Sequence, residues 1–176
     1  MNRFQKLVGA TLALTLALVI VGVVVRATGS GLGCPDWPFC YGQLVPPLGD
    51  FSAWAEWTHR LIAAVIGLLV AGVAVLALID HRDRPTILFP SIGAVALVGF
   101  QAWLGRETVR LGNSGPSVTA HLATALALVG LLGDKQKDIR FGDRDKAGRL
   151  AGQRSLRVRA DHDARERVGD RPAEPG

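Results

Sequence analysis

Cysteine is scarce in this sequence, and the motifs of nucleotide-binding and nucleic-acid-binding proteins are missing. The 176 residues include two cysteines, too few for an iron–sulfur cluster, which takes four. Gly29, Gly31 and Gly33 neither follow a predicted strand nor open a helix, which excludes a dinucleotide-binding fingerprint. The formal net charge is +5, but most of this excess lies in the C-terminal segment and forms no basic stripe on a folded surface. We therefore expect no nucleic-acid partner.

Charged side chains are also absent from four long apolar runs. The hydrocarbon core of a bilayer is about 30 Å thick, and a helix needs about 20 apolar residues to cross it. The first run follows two basic residues, but it is longer than the 7–15 residues typical of a signal peptide. The sequence therefore predicts an all-α integral membrane protein. It is a bundle of four transmembrane helices, with spans at about 7–25, 61–79, 87–104 and 116–133.

Two domains follow from this pattern. Residues 1–133 form the transmembrane domain, and residues 134–176 form a charged tail. The tail has no apolar face that recurs at helical spacing, so we expect it to be mostly disordered, with local helix only around 144–159. Basic residues near the N-terminus favour a cytoplasmic start. Counted with these N-terminal residues, Lys and Arg before the tail number four on each side, so the basic tail decides the orientation. It predicts the cysteine loop outside the inner cell membrane and the tail in the cytoplasm.

Ionisable residues gather at the outer ends of the spans. Glu56, His59 and Arg60 follow one another at helical spacing, and ionisable groups at a membrane span usually mark a site because they are costly there. Taken alone, Glu56 is also explained by the helix dipole, and His59 by an interfacial position. His121 lies at about the same depth on a later helix. Two imidazoles facing each other suit haem iron, whereas structural zinc needs four ligands.

Four outer arginines have two explanations. Their guanidinium groups could extend to lipid phosphates or pair with an anionic group such as a haem propionate. These candidate cofactor-binding residues are Arg26, Arg60, Arg106 and Arg110.

Cys34 and Cys40 enclose a short ring in the first outer loop. Disulfides persist in the compartment that this loop faces, so we predict a disulfide. A strained, reducible pair with a redox role is the alternative.

Taken together, these residues resemble the heme A synthase family. The first motif is long and unusual, RATGSGLGCPDWPFCYGQLVPP at 26–47. Three others follow at the expected places, EWTHR at 56–60, QAWLGRETV at 101–109 and HLATA at 121–125. The resemblance covers about residues 5–132. It corresponds to the N-terminal four-helix half of a family member and identifies residues 1–133 as a haem-binding domain.

The resemblance implies an oxidoreductase that converts haem O to haem A by oxidising a methyl group to a formyl group, for the assembly of terminal cytochrome c oxidase. It implies that His59 and His121 ligate the iron of the substrate haem and that Glu56 is catalytic. It also implies a disulfide between Cys34 and Cys40. Haem O and haem O synthase are the expected partners, besides the lipid bilayer.

This sequence departs from the usual family pattern, which has eight spans in two halves, with haem B in the second half. The tail resembles no span and is expected to be a frame-shifted or truncated end. A homodimer or homo-oligomer would restore an eight-helix body. The alternative function is a non-catalytic haem-binding membrane protein, or an inactive half of a heme A synthase. A quinone-linked thiol oxidase is disfavoured, because such proteins use two cysteine pairs and this chain has one.

Overall fold

Four helices make up most of the chain. The computed structural model describes residues 3–169 and, within the last helix, leaves aside the side chains of 135–147, 158 and 160–169. The helices are α1 Arg3–Ala27, α2 Phe51–Asp80, α3 Pro85–Arg110 and α4 Gly115–Gly169. A short 3-10 helix, Ser30–Leu32, lies between α1 and α2. The chain divides into two compact units, Met1–Gln136 and Lys137–Gly176.

All four predicted spans lie inside these helices, but two helices extend further toward the predicted outer side. Helix α2 begins at Phe51, ten residues before the predicted span 61–79, because Asp50 caps it by accepting a hydrogen bond from the Ala53 amide at 3.0 Å. Glu56 and His59 are therefore inside the helix. Helix α3 continues to Arg110, six residues beyond the predicted span 87–104, so Arg106 is helical. The first loop accordingly covers residues 28–50, and the second covers residues 111–114.

The first unit is an antiparallel bundle. Side chains from α2, α3 and α4 form its buried core, and leucines of α1 pack against them. The core residues are Ile66, Val70, Ala94, Leu128 and Leu132. At the end opposite the first loop, Arg3 of α1 forms an ion pair with Asp80 of α2 at 2.7 Å, which fixes the two helices in antiparallel register. Loops 28–50 and 111–114 therefore lie at the same end, which we call the loop end.

Each of the four helices has a segment long and apolar enough to cross a membrane. These segments are Arg3–Ala27, Phe51–Asp80, Pro85–Arg110 and Gly115–Asp134. Large apolar side chains such as Ile20, Leu68 and Phe89 are 66–75% exposed on their outer surfaces, as expected where lipid replaces water. The all-α, four-helix membrane architecture predicted from the sequence is confirmed.

The charged C-terminal segment has a helical backbone as far as Gly169. This helix includes the local stretch expected around 144–159, and the disorder expected for the segment stays a prediction. A helix satisfies its own backbone hydrogen bonds and so needs no apolar face to form. The described side chains at 148–157 and 159 are all exposed, in agreement with the missing apolar face. Residues 170–176, also part of the predicted tail, lie outside the described residues.

Candidate functional site

The two histidines singled out in the sequence lie at the loop end, on facing hairpins. His59 is eight residues after the start of α2, and His121 is six after the start of α4. At about 1.5 Å per residue these positions are about 12 and about 9 Å along their helices. Both rings are partly buried. The structure thus places the two predicted ligands at similar depth at the loop end of the bundle.

Each imidazole packs against a glycine of the preceding helix. A Cβ placed on Gly22 of α1 would lie 3.1 Å from Cε1 of His59, and one on Gly105 of α3 would lie 3.2 Å from Cε1 of His121. The Nδ1 atoms of both rings are buried and have no hydrogen-bond partner among the described residues. A buried polar atom without a partner costs free energy. A bound ligand that contacts the imidazole would offset this cost.

Haem fits this arrangement better than a metal ion held by protein groups alone. Among the side chains that the structure describes, no group of three or more His, Cys, Asp or Glu residues comes together. Two imidazoles are too few for a structural zinc ion but suit haem iron, for which histidine is a common protein ligand. His59 and His121 would hold the iron; the chemistry supplied by the bound haem is oxidation and reduction.

A polar contact between α3 and α4 supports His121. Gln101 of α3 donates a hydrogen bond from Nε2 to the His121 carbonyl at 2.8 Å, and its Oε1 accepts one from Thr124. Both ends of the amide are therefore satisfied inside the bundle. Gln101 ties the helix turn that carries His121 to α3.

The first loop is closed on itself by a disulfide and by one carboxylate. Cys34 and Cys40 form a disulfide and are fully buried. Asp36, between them in the chain, accepts hydrogen bonds from the amides of Tyr41 and Gly42, each at 2.7 Å. The Gly42 amide contributes most to holding the pKa of Asp36 below its ordinary value. The ring is thus a compact unit in which two backbone amides bind the carboxylate of Asp36.

Glu56 and Arg60 fasten this ring to helix α2. The Glu56 carboxylate, only 3% exposed, accepts from the Cys34 amide at 2.9 Å and from Arg60 at 2.5 Å. Arg60 also donates to the carbonyls of Asp36, Phe39 and Cys34 at 2.7, 2.9 and 3.2 Å. We call these two residues the Glu56–Arg60 clamp. They lie on either side of His59 in the chain, so the same helical turns hold the loop and present the imidazole.

The arginines proposed to bind an anion have different surroundings. Both amino nitrogens of Arg60 are hydrogen-bonded within the protein, which leaves little of the guanidinium for a propionate. Arg106 and Arg110 both pair with Glu107, at 2.8 and 3.3 Å. Arg26 is exposed in the last turn of α1. Anion binding by these four residues stays a prediction, and Arg26 is the arginine whose charge the described residues engage least.

Sequence reasoning missed three residues of this site, namely Gly22, Gly105 and Gln101. Glycines in membrane helices are common, so their pattern alone does not identify a contact. Gln101 did carry a usable signal, because an amide within an apolar span needs a partner.

The chain matches the family model described as cytochrome oxidase assembly protein over residues 5–160. It is 35% identical to the heme A synthase of Shewanella oneidensis over 139 residues, covering 69% of this chain and 41% of that protein. It is 33% identical to the heme A synthase of Shouchella clausii over 123 residues, with 69% and 41% covered. The chain therefore spans about two-fifths of the length of these relatives. It belongs to the cytochrome oxidase assembly protein family that contains the heme A synthases, as its motifs indicated, and it is a multi-pass membrane protein.

Proposed function

We propose that this chain binds haem between His59 and His121 and acts in heme A synthesis for cytochrome oxidase assembly. The observation that carries the proposal is the pair of buried, unpartnered imidazole nitrogens at similar depth on α2 and α4. Membership of the family and the names of the matched relatives agree with it. The proposed substrate is haem O, and the proposed product is haem A.

The reaction is written as oxidation of one methyl group to a formyl group. With water as the source of oxygen, the methyl carbon gains one oxygen atom while four electrons and four protons are released. The proposal therefore includes an electron acceptor outside this chain, of the membrane quinone class. Because the described part of the chain provides two candidate haem ligands, a second copy could supply the ligands of a further haem, as a homodimer would.

The protein residues have separate tasks in this proposal. His59 and His121 would hold the iron, each packed against a glycine of the preceding helix. Arg26, exposed at the loop end, would pair with a propionate at the membrane surface. We also propose that the loop end faces away from the cytoplasm, where the disulfide of the first loop persists. Glu56, the catalytic candidate, would act through the negative charge of its carboxylate, which is paired with the Arg60 guanidinium.

A second candidate function is haem binding without catalysis. The observation that favours it is the engagement of Glu56, whose two carboxylate oxygens accept from Arg60 and from the Cys34 amide. A carboxylate used in this way is a structural group of the loop. In this case the chain would bind or carry haem and leave it chemically unchanged.

Haem extraction separates the two candidates. The full chain is expressed in cells that make haem O, purified in detergent, and its haem is separated by chromatography. We expect haem A or its hydroxylated intermediate; unmodified haem alone would establish the binding function instead. Purified protein without haem would refute both.

Variants of the ligands and of Glu56 then test the assigned roles. Replacement His59→Ala or His121→Ala should abolish the low-spin haem spectrum, and His81→Ala at the opposite end of the bundle is the matched control. Glu56→Gln should retain bound haem and stop its oxidation. Unaltered oxidation in that variant would show that Glu56 serves the loop alone.

A further inference from the structure

Two helical hairpins place an imidazole in the same way. In the first, His59 of α2 lies over Gly22 of α1; in the second, His121 of α4 lies over Gly105 of α3. Each glycine is five residues before the last residue of its helix. The contact therefore occurs twice, at the same level of the bundle.

The contact involves the same edge of each ring. A Cβ on Gly22 would lie 3.1, 3.7 and 3.9 Å from Cε1, Nδ1 and Nε2 of His59. A Cβ on Gly105 would lie 3.2, 3.9 and 3.9 Å from the same atoms of His121. In both cases the side of the imidazole that carries the two nitrogens faces the glycine backbone. A methyl group at either position would displace the ring by a few tenths of an ångström, since cores are closely packed.

Other glycines of the bundle do not have this environment. A Cβ on Gly93 or Gly99 of α3 would meet no other described atom within 4 Å, apart from the backbone of its own helix and its chain neighbours, and one on Gly67 of α2 would make an ordinary contact of 3.7 Å with Val98. Glycine inside a helix costs about 0.5–1 kcal/mol relative to alanine. At Gly22 and Gly105 the space left by the missing methyl group is occupied by an imidazole.

We propose that Gly22 and Gly105 are positioning residues that set the depth and tilt of the His59 and His121 rings for coordination of one haem. The proposal rests on haem ligation by these histidines, as proposed above. Both rings would have to reach the same haem. An added methyl group that displaces one ring would therefore weaken the hold of that histidine on the haem and leave the other histidine in place. Neither glycine touches the reacting atoms, so their effect passes through the histidines.

The test begins without haem. The full chain is labelled with ¹³C at histidine Cε1, the ring atom nearest each glycine, and its NMR signals are assigned with His59→Gln and His121→Gln. We expect Gly22→Ala to move the His59 signal alone and Gly105→Ala to move the His121 signal alone. The matched control Gly99→Ala, on the same helix as Gly105, should move neither. Unmoved signals in the first two variants would overturn the proposed contact.

The same variants are then loaded with haem. We expect Gly22→Ala and Gly105→Ala to convert at least half of the low-spin haem to the high-spin form, measured by optical and electron paramagnetic resonance spectra, and Gly99→Ala to retain the low-spin form. Shifted ring signals with an unchanged low-spin spectrum would overturn the positioning role while leaving haem ligation intact. If the unmodified chain itself shows no low-spin haem, ligation has failed and the positioning role fails with it. The NMR spectra of the haem-free chain distinguish failed haem ligation from the absence of the contact between glycine and imidazole.

Discussion

Removal of Arg60 should release the first loop from helix α2. The change is Arg60→Met, which keeps most of the side-chain volume and removes the guanidinium. Glu56 would then be a buried carboxylate, 3% exposed, without its cationic partner. Breaking a buried ion pair from one side costs about 3–5 kcal/mol. We expect about 3 kcal/mol, at the lower end, because the Arg60 side chain is 15% exposed and water can replace it in part at the loop carbonyls.

Chymotrypsin cleavage after Tyr41 measures this loss, since that side chain is 48% exposed and lies just beyond the disulfide ring. When opening and closing are fast, cleavage follows the population of the open loop. A loss of about 3 kcal/mol corresponds to about a hundredfold faster cleavage. An increase of less than about threefold would refute the clamp.

Two further variants test the reason for the effect. Arg110→Met is the matched control, because its ion pair with Glu107 is at 3.3 Å, the Arg110 side chain is 62% exposed, and such pairs contribute about 0–1 kcal/mol. The double variant Glu56→Gln/Arg60→Met should be cleaved more slowly than Arg60→Met alone. Its amide carries no charge, and its oxygen still accepts from the Cys34 amide. Equal cleavage of the two would show that the unpaired charge is not the cause.

Two more outcomes follow from the loop. In the unfolded chain the pKa of Asp36 takes its ordinary value of about 4, whereas in the folded loop the Gly42 amide holds this pKa lower. The ionised carboxylate therefore stabilises the loop above about pH 4. This stabilisation is lost as the pH falls through the lower pKa of the folded loop. The amide NMR signals of Tyr41 and Gly42 should titrate with a midpoint below about pH 4 and should not do so in Asp36→Asn; a midpoint at the ordinary value would contradict the assignment. Replacement of both cysteines, Cys34→Ser/Cys40→Ser, should destabilise the loop by about 2 kcal/mol, because the closed ring is small, and speed cleavage after Tyr41 about 30-fold. A reductant should reproduce this in the unmodified chain, and an unchanged rate would show that the clamp alone holds the loop.

The spans could be predicted because the bilayer imposes a length and a composition that can be read directly from the chain. The helix ends could not, since they depend on local caps and on contacts beyond the apolar run. Asp50 starts α2 well before that run begins, and this places Glu56 and His59 inside a helix.

The sequence by itself determined the family, the four spans and the disulfide pair, and it predicted His59 and His121 as candidate haem ligands. Each of these depends on residue types at fixed spacing along the chain. The tertiary structure decided what the neighbouring residues do. It fastened Glu56 and Arg60 to the loop and placed Gly22 and Gly105 against the imidazoles. These contacts join residues 4 to 37 positions apart, and most of them depend on how the helices and the loop pack. The distance between two packed elements cannot be read from the spacing of residues within either element.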